Sequence, residues 1–390
     1  MKRIYLDHSA TTPVDPQVAE LMMTYFTEYY GNPSSVHYFG RQVRKALDNA
    51  REQVASLIGA NPKEITFTSG GTEADNLAIQ GAARARLKKG NHLITSAIEH
   101  HAVLDTFKYL KNNGYEITIL PVDEEGLIRL EDVRDAIRPE TILISIMHAN
   151  NEVGAIQPVE EVGKIAREKG ILFHVDAVQS LGKLDIDVNK MNVDLLTISS
   201  HKIYGPKGVG ALYIRNGVRI SPLVFGGSQE RKIRSGTENA PGIIGFGKAC
   251  ELAGQRMHEE NKELVRMRDK LLNGILNSIE DVKVNGPRGD KRLANNVNIS
   301  IQFIEGESLL LSLDMIGIAG SSGSACTSGS LDPSHVLLAM GLTHEVAHGS
   351  LRLSLGRQNT DEEIDFVLQE LPKIVQRLRD MSPLYHAANS

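Results

Sequence analysis

Lys202 lies in the run Ser199-Ser200-His201-Lys202-Ile203-Tyr204-Gly205-Pro206, directly after the apolar stretch 193–198. Asp176 lies in Phe173-His174-Val175-Asp176-Ala177-Val178-Gln179, after the apolar stretch 170–173. Both residues are therefore expected at the C-terminal ends of strands, where open α/β sheets bind their ligands. A lysine amine can form a Schiff base with an aldehyde, and a buried carboxylate can hold a ring nitrogen protonated. Pyridoxal phosphate needs this pairing. For any one Lys/Asp pair the plainer reading is a surface lysine and a helix-capping acid, so the remaining residues must decide.

Several other segments could do chemistry. Thr68-Ser69-Gly70-Gly71-Thr72-Glu73 joins a strand to a helix. Its glycines let the backbone approach an anion, Thr72 offers a hydroxyl, and the helix N-terminus adds N–H groups and a favourable dipole. Neither this segment nor Gly205-Pro206-Lys207-Gly208-Val209-Gly210 ends in Gly-Lys-Ser/Thr, which argues against a nucleotide P-loop. His100 or His101, after another strand, could stack on a planar cofactor or move protons near neutral pH. Ala149-Asn150-Asn151-Glu152, after the apolar strand 142–147, supplies amide donors for a phenolic oxygen, and Gln179, three residues after Asp176, could do likewise. Arg352 alternates with Leu351 and Leu353 on a strand, so it points away from their apolar face. A guanidinium fixed on a strand is suited to gripping a carboxylate in bidentate fashion.

The two cysteines differ in setting. Cys326 sits in the Ser/Gly run 321–330, which has no bulky side chain to build a core, so its thiol is expected to be a reachable nucleophile. Cys250 falls in a helical pattern and is expected to be structural. His344-Glu345-Val346-Ala347-His348 fits the zinc-peptidase signature. Gly349 and a strand follow at once, leaving too little helix for such a site.

These residues need a frame. Between about residues 40 and 250, helical patterns (40–57 and 73–87) alternate with short apolar strands at 64–68, 92–96, 115–120, 141–147, 171–175 and 210–214. Such alternation predicts an α/β fold on a mostly parallel sheet. A long charged helix is expected over about 248–278. Beyond it come a strand at 295–301, a helix near 307–315, the Ser/Gly loop, a strand at 350–355 and a last helix at 360–379. This second set reads as a smaller α+β domain, joined by the first dozen residues. The expected division is a large domain of residues 15–257 and a small one of residues 1–14 and 258–390 that carries the loop 321–330.

Composition narrows the function. With 390 residues, a net charge of −5 and both signs interspersed, there is no basic patch for nucleic acid and no polybasic membrane anchor. The first residues are charged too early for a secretory leader, and no apolar stretch approaches the length of a membrane span. Two cysteines exclude a disulfide framework, and a cytoplasmic location is expected.

Taken together, the motifs resemble the cysteine desulfurases, the NifS/IscS group of fold-type I pyridoxal-phosphate enzymes within the class V aminotransferase family. The resemblance runs from Tyr5-Leu6-Asp7-His8-Ser9-Ala10-Thr11-Thr12-Pro13 to Asp380-Met381-Ser382-Pro383-Leu384. It implies a large cofactor-binding domain on a seven-stranded sheet flanked by helices. By resemblance, Lys202 is the Schiff-base lysine, Asp176 the pyridinium partner and His100 the imidazole stacked on the ring. Asn151 and Gln179 lie near the ring oxygen, and Gly71, Thr72, Ser199 and His201 lie on the phosphate. Arg352, with Asn151, takes the substrate carboxylate, and Cys326 takes the sulfur. Arg234-Ser235-Gly236-Thr237 is similar to the segment by which one subunit completes its neighbour's phosphate site, which implies a homodimer. The implied reaction converts L-cysteine to L-alanine and leaves a persulfide on Cys326. That sulfur passes to a protein acceptor such as an iron–sulfur scaffold, for cluster assembly or other thio-cofactors. The rivals are a selenocysteine lyase, another class V aminotransferase with no need of Cys326, and a zinc hydrolase using His344 and His348.

Overall fold

The computed structural model describes residues 3–322 and 333–388. After the short strand β1 (Ile4–Tyr5) come two helices, α1 (Pro16–Thr27) and α2 (Tyr38–Leu57). Asp15 opens α1 by accepting the Gln17 N–H, with Pro16 in the first turn, where its missing N–H costs nothing. On α2 the buried residues Val43, Leu47, Ala50 and Val54 recur at helical spacing and form one apolar stripe.

Alternating elements follow: β2 (Ile65–Thr68), α3 (Gly71–Arg86), β3 (His92–Ser96), α4 (His101–Asn112), β4 (Glu116–Leu120), α5 (Leu130–Ala136), β5 (Thr141–Ser145), α6 (Val159–Lys169), β6 (Leu172–Asp176), β7 (Leu195–Ser199) and β8 (Gly210–Ile214). The seven strands form one sheet in the order β2-β8-β7-β6-β5-β3-β4. Strands β3 to β7 pair in parallel, whereas β8 runs antiparallel to both β2 and β7. All strands but β8 therefore end at the same edge. Every residue of β2, β3, β5, β6, β7 and β8 is buried, as expected of a sheet covered on both faces; the edge strand β4 is partly exposed.

Helix α7 (Ala240–Ser278) starts well before the expected residue 248. The Asn239 side chain caps the Gly242 N–H, and Pro241 sits in the first turn. Its first half, with Ile243, Phe246 and Cys250, packs into the core beneath the large sheet. Its second half, with Leu264, Met267, Leu271 and Ile275, enters a separate core. That core is built with β9 (Val282–Val284), β10 (Asn296–Ile301), α8 (Gly306–Met315), β11 (Ile318–Ala319), β12 (Ser350–Ser354) and α11 (Asp361–Asp380), whereas α9 (His335–Ala339) and α10 (His344–His348) pack in another cluster with Ile98, Met147 and Val153, and α12 (Pro383–Ala388) follows α11. Strands β12, β10 and β9 form an antiparallel sheet, and β1 pairs with β11, which brings Ile4 and Leu6 into this core. Helix α10 spans only five residues, and His348 faces a surface groove with Phe303 and Met381. Among the described residues no cluster of three or more potential ligands could hold a metal ion, and no helix is long and apolar enough to cross a membrane.

Candidate active site

The shared edge of the large sheet is where five strand-to-loop junctions meet. They enclose a cavity of ≈ 350 Å³ lined by Gly71, Thr72, His100, Asn151, Asp176, Gln179, Ser199, His201, Lys202 and Arg352, with Asp75 and the Ser9-Ala10 backbone. Residues chosen from separate stretches of sequence thus converge on one space. Thr237 does not join them: it is exposed, three residues after Arg234, whose guanidinium pairs with Glu73 of the same chain at 2.8 Å. Cys326 lies outside the described residues.

Lys202 closes the tight turn Ser200–Lys202 after β7, and its Nζ donates to the carbonyls of Ser9 at 2.5 Å and Ala10 at 2.7 Å. The N-terminal segment therefore fixes the amine where β7 ends. Asp176 is the last residue of β6, and its Oδ1 accepts the Val178 N–H at 2.9 Å. Burial lifts its carboxyl to about 6, against the opposing pulls of that N–H and of the Lys202 charge. Gln179 donates to the Ser9 carbonyl at 2.9 Å, and its buried Oε1 has no partner.

The N-terminus of α3 supplies the anion end. Gly70 is at φ 154°, and a Cβ on Gly71 would sit 2.8 Å from Val178 Cγ2, so only glycine lets this turn close against the β6 loop. His201 Nδ1 meets the Thr11 hydroxyl at 3.1 Å, and burial with the Lys202 charge lowers its pKa to about 4. His100 caps α4, its Nδ1 accepting the Ala102 N–H at 3.1 Å. Burial, then Lys202 and His101, lower it to about 4. Of the two uses expected for this histidine pair, stacking on a planar cofactor or moving protons, a neutral His100 imidazole is compatible with the first.

Arg352 reaches the cavity from β12 of the second core. Its Nη1 donates to the Asn151 carbonyl at 3.1 Å and its Nη2 to Asp7 Oδ1 at 2.8 Å, while the buried Nε has no partner. Both Nη atoms are thus engaged, and the Nε–H is the donor left unmet.

The donor set fits pyridoxal phosphate: a helix N-terminus with Thr72, Ser199 and His201 for the phosphate, a buried acid for the ring nitrogen, and an amine between them. Sequence reasoning missed Asp75. Its signal was its place three residues after Thr72, on the same face of α3. It also missed the Ser9 and Ala10 carbonyls, which carry no side-chain signal.

Comparison with known proteins agrees with this geometry. The sequence profile of the aminotransferase class-V family matches residues 4–367, and the chain belongs to that family. Within it, the relatives are specific. A Clostridium botulinum protein named cysteine desulfurase IscS is 58% identical over 385 residues, covering 98% of this chain and 97% of the relative. A solved structure described as a NifS-like protein superposes with a TM-score of 0.91 at 41% identity, over 97% of this chain and 100% of that one. Another, described as SspA in complex with cysteine, gives a TM-score of 0.81 at 40% identity, over 91% and 99% of the two chains.

Proposed function

We infer that the chain is a cysteine desulfurase that uses pyridoxal phosphate. The observation carrying this reading is that Lys202, Asp176 and Arg352 line one cavity, so amine, ring acid and carboxylate anchor lie within reach of one small amino acid. Bound there, pyridoxal phosphate would supply an aldehyde able to react with an amino group and a ring able to accept electrons. Thr72, Ser199 and His201 hold its phosphate against the start of α3, and His100 stacks on the ring. Gln179 and Asn151 face the ring oxygen, and Asp176 keeps the ring nitrogen protonated. Arg352 binds the substrate carboxylate. Lys202 carries the proton to and from the substrate's Cα at its Nζ. The Cys326 thiolate then attacks the substrate sulfur: a sulfur–sulfur bond forms, the carbon–sulfur bond breaks with its electron pair left to the substrate carbon, Cβ takes up the proton that the substrate thiol gives up, and L-alanine leaves.

The same reading divides the chain into a cofactor-holding unit of residues 15–257 and a second unit of residues 1–14 and 258–390, supported by the two cores that α7 joins. A homodimer completes it. An open cleft of ≈ 810 Å³ lies beside Thr72 and His100, lined by α3 and α4, and the partner subunit's Thr237 suits its phosphate end. Exposed Met23, Phe26, Tyr30, Val36 and Phe39 offer the apolar surface such a dimer buries. The persulfide passes to an acceptor protein such as an iron–sulfur scaffold, in the reducing cytoplasm that its thiol chemistry requires.

The test is to quench turnover on L-cysteine and map the added sulfur by mass spectrometry. One extra sulfur on the Cys326 peptide, and its loss with alanine release in Cys326→Ser, are expected. Sulfur on Cys250, or normal alanine release by Cys326→Ser, would overturn the reading.

A further inference from the structure

We infer that Asp75 is the proton-holding half of a buried acid pair with Asp176, a positioning residue that surrenders its proton to solvent before a ring-nitrogen cation held at Asp176 does. This rests on the pyridoxal-phosphate reading of the cavity and adds a group that reading leaves without a role. Asp75 lies in the first part of α3, its side chain is 2% exposed, and it lines the same cavity as Asp176. Its Oδ1 is buried without a hydrogen-bond partner. Two buried carboxylates lining one cavity repel, so together they carry a single charge.

The surroundings decide where that charge sits. Asp176 has the Val178 N–H and the Lys202 cation nearby. Asp75 has only the Thr197 hydroxyl and the edge of His174, whose Nε2 is 3.5 Å from Oδ1. His174 cannot become the missing cation. The Ser145 and Thr197 hydroxyls take its two nitrogens at 2.8 and 3.0 Å, and burial depresses it to about 3. Placing its proton on Nε2 lets it donate to Thr197, whose hydroxyl then donates to Asp75. From the end of β3, buried Glu99 adds more repulsion, while from α4 His101 and Asp105 face only the outer cleft. Burial first, and Asp176 second, push the Asp75 carboxyl far above the ordinary carboxylate range. The charge therefore resides on Asp176 and the proton on Asp75.

The consequence appears as the medium turns alkaline. The O–H bond of Asp75 breaks first and its proton leaves to solvent. The carboxylate left behind adds negative charge near the ring cation and strengthens its N–H bond against loss. An asparagine keeps the shape of the protonated acid but has no proton to give, so the ring nitrogen becomes the next group to titrate.

The experiment follows the ring nitrogen by NMR of isotope-labelled pyridoxal phosphate across a pH series in wild type and Asp75→Asn. Protonated carboxyl groups are followed in parallel by infrared spectroscopy. The ring nitrogen should lose its proton at least about one pH unit lower in Asp75→Asn, the size of shift that one nearby charge produces. Over the protonated-carboxyl signal that Glu99 gives in both proteins, wild type should show a further protonated-carboxyl component at neutral pH that the variant lacks. Equal ring titrations in the two proteins, or no such component in wild type, overturn the inference. Should Asp75→Asn fail to fold, Glu99→Gln, which removes that other raised carboxyl, decides: a ring nitrogen that titrates before the last protonated-carboxyl band of this protein disappears overturns the inference. A wild type that takes up no pyridoxal phosphate sinks the cavity reading and this inference together, a result distinct from either of the others.

Discussion

The acids between α7 and α11 and the acids at the end of the large sheet obey opposite rules. On the surface, Arg266 meets both Glu263 and Asp361 at 2.5 Å, and Lys270 bridges Asp361 and Asp365 at 2.9 and 2.6 Å. Hydrogen bonds from Arg266 and Lys270 draw Asp361 down to about 2. At the sheet edge, burial lifts Asp176 to about 6 and Glu99 to about 8, and Asp75 Oδ1, Glu99 Oε2, Gln179 Oε1 and Arg352 Nε lack partners. The surface pairs are complete but screened by water, so each contributes little. Of the buried groups, Asp75, Gln179 and Arg352 line the cavity, where a ligand can satisfy them, whereas Glu99 does not. Unmet polar groups buried around a cavity are costly to the folded chain, so they mark where binding energy is recovered.

Four measurements would break or sharpen this contrast, and the largest effect belongs to Lys202. Lys202→Ala should lower turnover by at least about 10⁴-fold, the scale for removing one member of a catalytic unit, with loss of the visible band of the bound cofactor. Near-normal turnover would remove Lys202 from the chemistry. Arg352→Ala comes next, costing about 2–5 kcal/mol in kcat/KM for L-cysteine, as for truncating a buried charge pair. Arg352→Lys should recover only part of this, because an ammonium keeps the charge and loses the fork. An unchanged kcat/KM would move the carboxylate anchor elsewhere.

Glu99 tests burial without catalysis. Its carboxyl rises from 4.5 to about 8 on folding. A raised acid binds more protons folded than unfolded, so its stabilising contribution is complete below 4.5 and fades as pH climbs through about 8. Thermal melts of the cofactor-free protein should therefore show stability falling across this window, on the order of a few kcal/mol at most. Glu99→Gln should flatten that slope, and a slope the same in both proteins would refute the assignment. The smallest effect belongs to the surface: Asp361→Asn should leave activity unaltered and move Tm by no more than about 2 °C. A larger shift would mean that the exposed network carries more stability than screening allows.

The elements were legible where local patterns were strong. Each expected strand from 64–68 to 210–214 overlaps a strand of the large sheet, because continuous apolar runs between turn signals are what a doubly covered sheet requires. The start of α7 was not legible. Gly242, Gly245 and Gly247 lower helix propensity there. Yet Cβ atoms at Gly245 and Gly247 would lie 2.6 Å from Met22 and Ala50, so these glycines let α7 pack closely against α1 and α2. At the site, Lys202, Asp176, Thr72 and Arg352 could be picked out because each residue type ends or occupies a recognisable strand or helix. Asp75 could not, since a polar residue inside a helix pattern reads as solvent-facing until the strands covering it are known.

What the sequence determined by itself was the repertoire: an amine, an acid, a glycine-rich helix start and a strand arginine, each placed by short-range periodicity. What only the tertiary structure decided was their state. Asp7 and Ser9, far from both partners in sequence, fix the Arg352 fork and the Lys202 amine. Asp75 and Asp176 come from different elements and acquire their unequal proton affinities only when β6 and α3 close on the same cavity. Periodicity is a property of neighbours along the chain, whereas charge state depends on burial and on fields from residues far apart in sequence, which exist only once the chain has folded.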